Sequence, residues 1–155
     1  MAKQSNLLSQ GGFGCVYYPG IDCKGSVLTN KKFASKLQVK NSSSDNEIAI
    51  GNEIKKIKKY YEYFLPVIDN CPIISNKINS NVLTDCDPIK GKQDLVLMKM
   101  EYINSLSFYK LLSNEKESSQ SIIKSMMNSY LYLLKSLSFL GEKNIIHYDL
   151  KVDNI

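Results

Sequence analysis

The closing nine residues constrain the fold and the chemistry of this chain more than any other stretch. They run from His147 to Ile155 and read H-Y-D-L-K-V-D-N-I. The spacing of Asp149, Lys151 and Asn154 is the arrangement that phosphoryl transfer needs. A carboxylate accepts or orients the proton of the attacking hydroxyl, an ammonium group offsets charge on the phosphoryl group, and an amide oxygen holds a metal ion. The remaining parts of such a site should therefore lie upstream.

This stretch resembles the catalytic loop of the eukaryotic-type protein kinase family, which reads H-R-D-L-K-x-x-N. The resemblance makes Asp149 the catalytic base, Lys151 a phosphate contact and Asn154 a ligand of Mg²⁺. Two positions differ, because Tyr148 stands where the family usually has Arg and Val152 where it often has Pro. That arginine pairs with a phosphorylated activation segment, so the tyrosine predicts activity that does not depend on such phosphorylation.

A glycine-rich turn between two predicted strands lies near the N-terminus. Residues 7–18 read L-L-S-Q-G-G-F-G-C-V-Y-Y, and glycines there let the backbone approach phosphates closely. The turn resembles the family's G-x-G-x-x-G-x-V loop, with Ser9 at the first glycine position and Gly11 and Gly14 at the next two. A plain hairpin is the alternative. The candidate nucleotide-binding residues are Ser9, Gln10, Gly11, Gly12, Phe13, Gly14 and Val16.

A lysine candidate for phosphate binding lies on the next predicted strand. The segment F-A-S-K stands where the family has V-A-I-K. By this resemblance Ala34 belongs to the nucleotide site, and Lys36 pairs with the α- and β-phosphates of ATP. A surface lysine in a lysine-rich protein is the alternative interpretation of Lys36.

A predicted amphipathic helix carries two glutamates that compete for one role. Apolar residues recur at helical spacing from Ile48 to Tyr61. Glu53 lies in a Glu-Ile-x-x-Ile context that resembles the family's C-helix, whose glutamate orients the strand lysine toward the phosphates. Glu53 is therefore preferred over Glu47, and a solvated helix glutamate is the alternative for either residue.

The predicted sheet is completed further along the chain. Residues 64–68 fit a short strand, whereas residues 69–94 are rich in polar residues and predict an enlarged loop without an assigned role. The following segment, which begins D-L-V-L-M-K-M-E-Y-I, resembles the family's fifth strand and hinge. By this match Met100 is the gatekeeper, and the backbone of Glu101 and Ile103 hydrogen-bonds the adenine edge.

A long stripe of apolar residues precedes the closing stretch and predicts a helix from Glu117 to Leu140. In the family this helix packs under the catalytic loop and against other C-lobe helices. Those helices, and the D-F-G and A-P-E stretches, follow the catalytic loop in the family but not in this sequence. A partner or a missing C-lobe is therefore expected to cover the helix. The stripe consists of Ile122, Ile123, Met126, Met127, Tyr130, Leu131, Leu134, Leu137 and Leu140.

Composition argues against several other classes of protein. No apolar run is long enough to span a membrane, and the N-terminal residues lack the apolar core of a secretory signal. The net charge of +5 comes from lysines that are scattered or on one helix, which favours a solvated surface over nucleic-acid binding. The cysteines are too widely spaced for a zinc ribbon or a CxxC pair, so free thiols in a reducing, intracellular compartment are expected, and a Cys71–Cys86 metal site is disfavoured. The cysteines are Cys15, Cys23, Cys71 and Cys86.

Together these features predict an α+β fold. We expect a protein-kinase-like N-lobe, with a small antiparallel sheet and a C-helix, followed by a hinge and the first C-lobe helices, truncated after the catalytic loop. Residues 1–100 would form the N-lobe, 101–107 the hinge and 108–155 the start of the C-lobe of an incomplete domain. Such a fragment is expected to be poorly active alone. Its composition and enlarged loops also resemble kinases of large DNA viruses, for which the host cytoplasm or the virion would be the location.

The resemblance implies phosphoryl transfer from ATP to serine or threonine of a protein substrate, with ATP and Mg²⁺ as cofactors. Lys151 resembles the serine/threonine group, because tyrosine kinases usually lack a lysine two places after the catalytic aspartate. Two alternatives stay open: a small-molecule phosphotransferase of the aminoglycoside-kinase type, and a non-catalytic, pseudokinase-like binding module. Neither nucleic acid nor a membrane is an expected partner. The candidate catalytic residues are Asp149, Lys151, Asn154, Lys36 and Glu53, with Asn154 as the metal ligand.

Overall fold

The structure is a computed structural model that describes residues 6–74, 86–104, 112–113, 117–148 and 150. Contacts divide the chain into two compact units. The first unit comprises Met1–Lys56 and Leu65–Ile103, and the second comprises Ile57–Phe64 and Asn104–Ile155. Within the described ranges, no helix has the length and apolar character needed to cross a bilayer.

A five-stranded antiparallel sheet forms the first unit, in the order β1-β2-β3-β5-β4. One α-helix, α1, packs on it. The sheet and the helix confirm the predicted α+β architecture of a small antiparallel sheet with one principal helix. The strands are β1 (Asn6–Gln10), β2 (Gly14–Tyr18), β3 (Phe33–Val39), β4 (Asp69–Ile74) and β5 (Asp94–Glu101), and α1 spans Ser42–Ile54.

The two faces of the sheet have apolar cores of different size. Successive residues of a strand point to opposite faces, so Lys36 defines one face, here the inner face, and Leu37 defines the outer face. The inner core consists of Val67, Val96 and Met98, with Ile48 of α1 packed against it. The outer core is larger and consists of Cys15, Tyr17, Ile21, Leu37, Ile73, Cys86, Ile89, Leu95 and Leu97.

Helix α1 begins at a capping box. The Asn41 side chain accepts a hydrogen bond from the Ser44 backbone N–H at 3.0 Å, and the Ser44 hydroxyl accepts one from the Asn41 N–H at 2.9 Å. The helix ends at Ile54, so the prediction that it continues to Tyr61 is wrong. The chain breaks the helical path at Lys59, where φ is 59°, before a separate 3₁₀ turn.

Strand β4 lies where the sequence predicted a loop. The expectation of a strand at residues 64–68 and a loop from residue 69 is wrong, because Asp69–Ile74 pairs with β5 over its whole length. Its polar residues and Pro72 suit its position, since β4 is an edge strand and an edge tolerates a proline that cannot donate to a neighbour.

All four cysteines form disulfides, so the prediction of free thiols is wrong. Cys15 bonds to Cys86 and Cys23 bonds to Cys71, both on the outer face. Partners 71 and 48 residues apart meet because strand pairing brings them together, which linear spacing does not reveal. The expectation of an intracellular, reducing compartment loses the support it drew from free thiols. In the part of the chain that the structure describes, no group of three or more His, Cys, Asp or Glu could hold a metal ion.

The second unit contains a long helix, α2, at Ser119–Glu142, which confirms the predicted helix within two residues at each end. The Ser118 side chain caps it by accepting from the Ser121 N–H at 3.2 Å. Tyr63 packs against it, with ring centroids 5.7 Å from Tyr132 and 5.0 Å from Phe139. Much of the apolar stripe nevertheless remains exposed in this chain, as expected. The exposed members of the stripe are Ile123, Met126, Met127, Tyr130, Leu131 and Leu134.

Candidate functional site

The glycine-rich turn joins β1 to β2 and has an open tip. The Gly11 N–H donates to the Gly14 carbonyl at 2.9 Å, which closes the turn. A Cβ added at Gly12 would meet nothing within 4 Å, and the Phe13 side chain is 66% exposed. Gly14 differs, because a Cβ there would collide with the Leu37 carbonyl oxygen of β3. Gly14 is therefore required by strand packing, while Gly11 and Gly12 leave room for a ligand to approach the backbone.

Lys36 forms a bidentate ion pair with Glu47, not with Glu53. Its Nζ donates to the two carboxylate oxygens of Glu47 at 2.8 and 2.6 Å, and both side chains are about one-quarter to one-third exposed (25% and 34%). Glu53 instead pairs with Lys56 at 2.5 Å on an exposed surface. The prediction that Glu53 is the partner of Lys36 is therefore wrong. Glu53 and Glu47 lie on different sides of α1. Six residues turn an α-helix by about 240° beyond a full turn.

The capping box at the start of α1 indicates Glu47, rather than Glu53, as the partner of Lys36. Asn41 and Ser44 place the start of α1 directly after β3, so the second turn of the helix is the part that lies beside Lys36. Gly51 lies one turn after Glu47 and confirms that this side of α1 faces the rest of the first unit. A Cβ at Gly51 would lie 3.1 Å from the Val67 carbonyl oxygen, so this glycine permits the close approach.

Strand register brings four predicted site residues onto the inner face. Val16 of β2 pairs with Lys36, and Ala34 pairs with Met100 of β5. Directly paired residues share a face, and residues two apart on a strand do as well. Ala34 is buried at 3% exposure, whereas Met100 is half-buried. An apolar surface therefore lies beside the Lys36 ammonium group on one face of one sheet.

The end of β5 presents free backbone groups at the positions predicted for the adenine contact. The Tyr102 N–H donates to the Lys32 carbonyl at 2.8 Å, so the backbone of Tyr102 faces β3. Backbone groups of an antiparallel strand alternate in direction, so those of Glu101 and Ile103 face the opposite edge. Strand β4 covers that edge only as far as Lys99. Within the described ranges, no strand pairs with the edge at Glu101 and Ile103.

Two tyrosines hold the start of the segment that the sequence predicts to be the hinge. The rings of Tyr18 and Tyr102 stack with centroids 3.7 Å apart, and the Tyr18 hydroxyl donates to the Lys31 carbonyl at 3.0 Å. The stack links β2 to the residue between the two adenine-contact candidates. Sequence reasoning missed it, because residues so far apart in the chain meet only through the pairing of β2, β3 and β5.

The closing stretch lies largely outside the described residues. Asp149, Lys151 and Asn154 are not described, so their roles stay predictions from the resemblance. Tyr148, at the arginine position of the family, is 91% exposed. Just upstream, α2 ends at Glu142, and Asn144 two residues later has a φ of 55°, a conformation that asparagine tolerates after helix ends.

Comparison with known proteins gives one assignment. A search of curated proteins found no match. The family model of the protein kinase domain, in contrast, matches residues 2–155, which is nearly the entire chain. That match agrees with the antiparallel sheet, the lysine–glutamate pair and the hinge-like end of β5. The chain therefore belongs to the protein kinase family.

Proposed function

We propose that this protein binds ATP with Mg²⁺ and transfers the γ-phosphoryl group to a serine or threonine hydroxyl of a protein substrate. Membership of the protein kinase family supports kinase chemistry in general. The bidentate Lys36–Glu47 pair is the observation that carries the ATP part of the proposal. It holds an ammonium group beside an open glycine-rich turn within a single folded unit.

The described residues fit a nucleotide in three respects. The glycine-rich turn leaves its tip open, which suits backbone contacts to phosphates. Ala34 and Met100 offer an apolar surface for a base, and the uncovered backbone of Glu101 and Ile103 offers hydrogen-bonding groups for its edge. ATP supplies the phosphoryl group that the reaction transfers.

Within this proposal Lys36 neutralises phosphate charge, and Glu47 fixes the direction of its ammonium group. A charge held in place in advance stabilises a developing transition state without reorganisation. Asp149 orients the substrate hydroxyl and accepts its proton, Lys151 contacts the transferred group, and Asn154 holds Mg²⁺. The choice of serine or threonine rests on Lys151 alone.

Two substitutions test the proposal in separate steps. Asp149→Asn should lower phosphoryl transfer to a generic serine/threonine substrate by about 1,000-fold while ATP affinity stays unchanged, because it removes only the base. Lys36→Met should lower transfer by about 100-fold. Lys56→Met is the matched control, since Lys56 pairs with Glu53 on the exposed surface of the same unit. Transfer is measured with labelled ATP, and affinity by calorimetric titration with Mg²⁺ present.

The same measurements separate the alternatives. Transfer to an aminoglycoside rather than to protein would favour a small-molecule phosphotransferase. ATP binding without transfer to either acceptor would favour a binding module. Absence of ATP binding in the unsubstituted chain would contradict the proposal as a whole.

A further inference from the structure

Both ends of the glycine-rich turn are bonded to two consecutive residues of the connection between β4 and β5. Cys15, the second residue of β2, forms a disulfide with Cys86. Gln10, the last residue of β1, contacts the next residue, Asp87. The Gln10 Oε1 accepts from the Asp87 backbone N–H at 3.3 Å, and its Nε2 donates to the Asp87 carboxylate at 3.4 Å.

These two residues are themselves anchored to the sheet. Cys15 and Cys86 are fully buried in the outer core, at 0% exposure. The short 3₁₀ helix Asp87–Ile89 follows at once, and its Ile89 is 2% exposed in the same core. The position of Asp87 is thus fixed from both sides by buried neighbours.

The Asp87 carboxylate is charged at neutral pH with or without Lys90, because the ordinary pKa of an aspartate is about 4. Lys90 donates to it at 2.5 Å, and this hydrogen bond, with a smaller contribution from Gln10, lowers the pKa of Asp87 below its usual value. The negative charge strengthens its acceptance of the Gln10 N–H. At neutral pH both bonds between Gln10 and Asp87 can therefore be made.

We propose that Cys86 and Asp87 form a clamp that positions the glycine-rich turn for the phosphates of a nucleotide. This clamp consists of the Cys15–Cys86 disulfide and the two Gln10–Asp87 hydrogen bonds. It rests on the proposed ATP-binding function. Gly11 and Gly12 have no side chains to hold the tip, and little else surrounds them. A turn fixed at both ends loses less conformational freedom when a ligand binds, which raises affinity.

The second disulfide provides a matched comparison. Cys23 lies in the connection between β2 and β3, and Cys71 lies on β4. This bond also staples a loop to the outer face, but neither cysteine adjoins the glycine-rich turn. Its removal should cost stability without changing the turn.

The test compares two double variants by amide hydrogen exchange and by ATP titration. Cys15→Ala/Cys86→Ala should speed exchange at Gly11 and its neighbours in the turn by about fivefold relative to amides of β3 and β5. The same variant should weaken ATP binding by about fivefold. Cys23→Ala/Cys71→Ala should leave both the relative exchange of the turn and the ATP affinity unchanged.

A milder variant keeps the disulfide and tests the other half of the clamp. Asp87→Ala removes an exposed carboxylate and should weaken ATP binding by about threefold, with a matching rise in exchange of the turn. Lys90→Ala is its control, because it removes the Lys90–Asp87 ion pair but leaves the groups that contact Gln10. Retained exchange protection in β3 and β5 shows that each variant is folded.

Each outcome decides one claim. Selective loosening of the turn with weaker ATP binding in the clamp variants supports the clamp. Equal exchange of the turn in all variants, or equal effects of the two double variants, would overturn it. If the unsubstituted chain binds no ATP, the proposed function fails, and the exchange data alone then decide whether the clamp positions the turn.

Discussion

The inner face of the sheet has a small apolar core and a charged pair, whereas the outer face has a large apolar core and both disulfides. The two faces share the same strands, so this difference comes from what covers them. Helix α1 covers part of the inner face and leaves Lys36 partly accessible. Loops stapled by disulfides cover the outer face. The comparison teaches that rigidity in this unit comes chiefly from the outer face. The candidate site residues of β3 lie on the other, inner face.

This separation suits a nucleotide site. A binding surface must keep polar groups and backbone edges uncovered, which limits the apolar area that it can bury. The free energy of folding then has to come from elsewhere in the unit. Buried residues such as Leu37 and Leu97 supply it on the outer face, directly behind the strand residues of the candidate site.

The largest expected effect on stability comes from removing the buried disulfide of the outer face. Cys15→Ala/Cys86→Ala should lower the free energy of unfolding by about 4 kcal/mol, since the bond closes a long loop of the unfolded chain. Urea denaturation of the oxidised protein measures this loss. A loss below about 1 kcal/mol would show that the bond constrains the unfolded chain little, and would remove this disulfide as a source of stability on the outer face.

A pair of core substitutions sharpens the comparison between the faces. Leu37 and Met98 are both fully buried, at 0% exposure, but on opposite faces. Leu37→Ala should cost about 4 kcal/mol and Met98→Ala about 2 kcal/mol, because the smaller inner core can collapse further around a cavity.

Denaturant midpoints with unchanged slopes would show that both variants keep two-state unfolding. Equal costs at the two positions would contradict the difference between the cores.

The sequence predicted the inner face better than the outer face. The glycine-rich turn and Lys36 are local signals, because each is recognised from a few consecutive residues. The two disulfides depend on strand register, as Cys15 meets Cys86 only after β2 and the β4–β5 connection have come together. Such pairings are long-range, so linear spacing could not identify them.

The choice between the two glutamates shows a local signal that was available. The Asn41–Ser44 capping box fixes the start of α1, and counting from that start places Glu47 in the second turn. The Glu-Ile-x-x-Ile context of Glu53 instead predicted the wrong partner for Lys36. Strand β4 is a different case, because polar residues and Pro72 are typical of loops as well as of edge strands.

Substitution of Glu47 should separate site function from stability on the inner face. Glu47→Gln should lower phosphoryl transfer by about tenfold, because Lys36 loses the group that directs it. The cost in stability should stay below about 1 kcal/mol, since the pair is partly solvated. Glu53→Gln is the control, and it should change neither quantity. A larger effect at Glu53 than at Glu47 would show that the pairing in the structure is not the functional one.

The smallest expected effect is a pH dependence at the edge of the outer face. Hydrogen bonds from Lys90 and then Gln10 lower the pKa of Asp87 from its ordinary 3.8. A carboxyl whose pKa is lower in the folded state stabilises the fold above the unfolded-state pKa, and this contribution is lost as pH falls through the folded-state pKa.

The difference in thermal midpoint between the unsubstituted chain and Asp87→Ala should therefore be constant from about pH 5 to 7. This pH range lies roughly one unit or more above the ordinary pKa, so Asp87 is ionised in both the folded and the unfolded state. It should shrink only in stronger acid. A difference that already shrinks near neutral pH would place the responsible group elsewhere, and would remove Asp87 as the charged acceptor that holds Gln10 at the base of the glycine-rich turn.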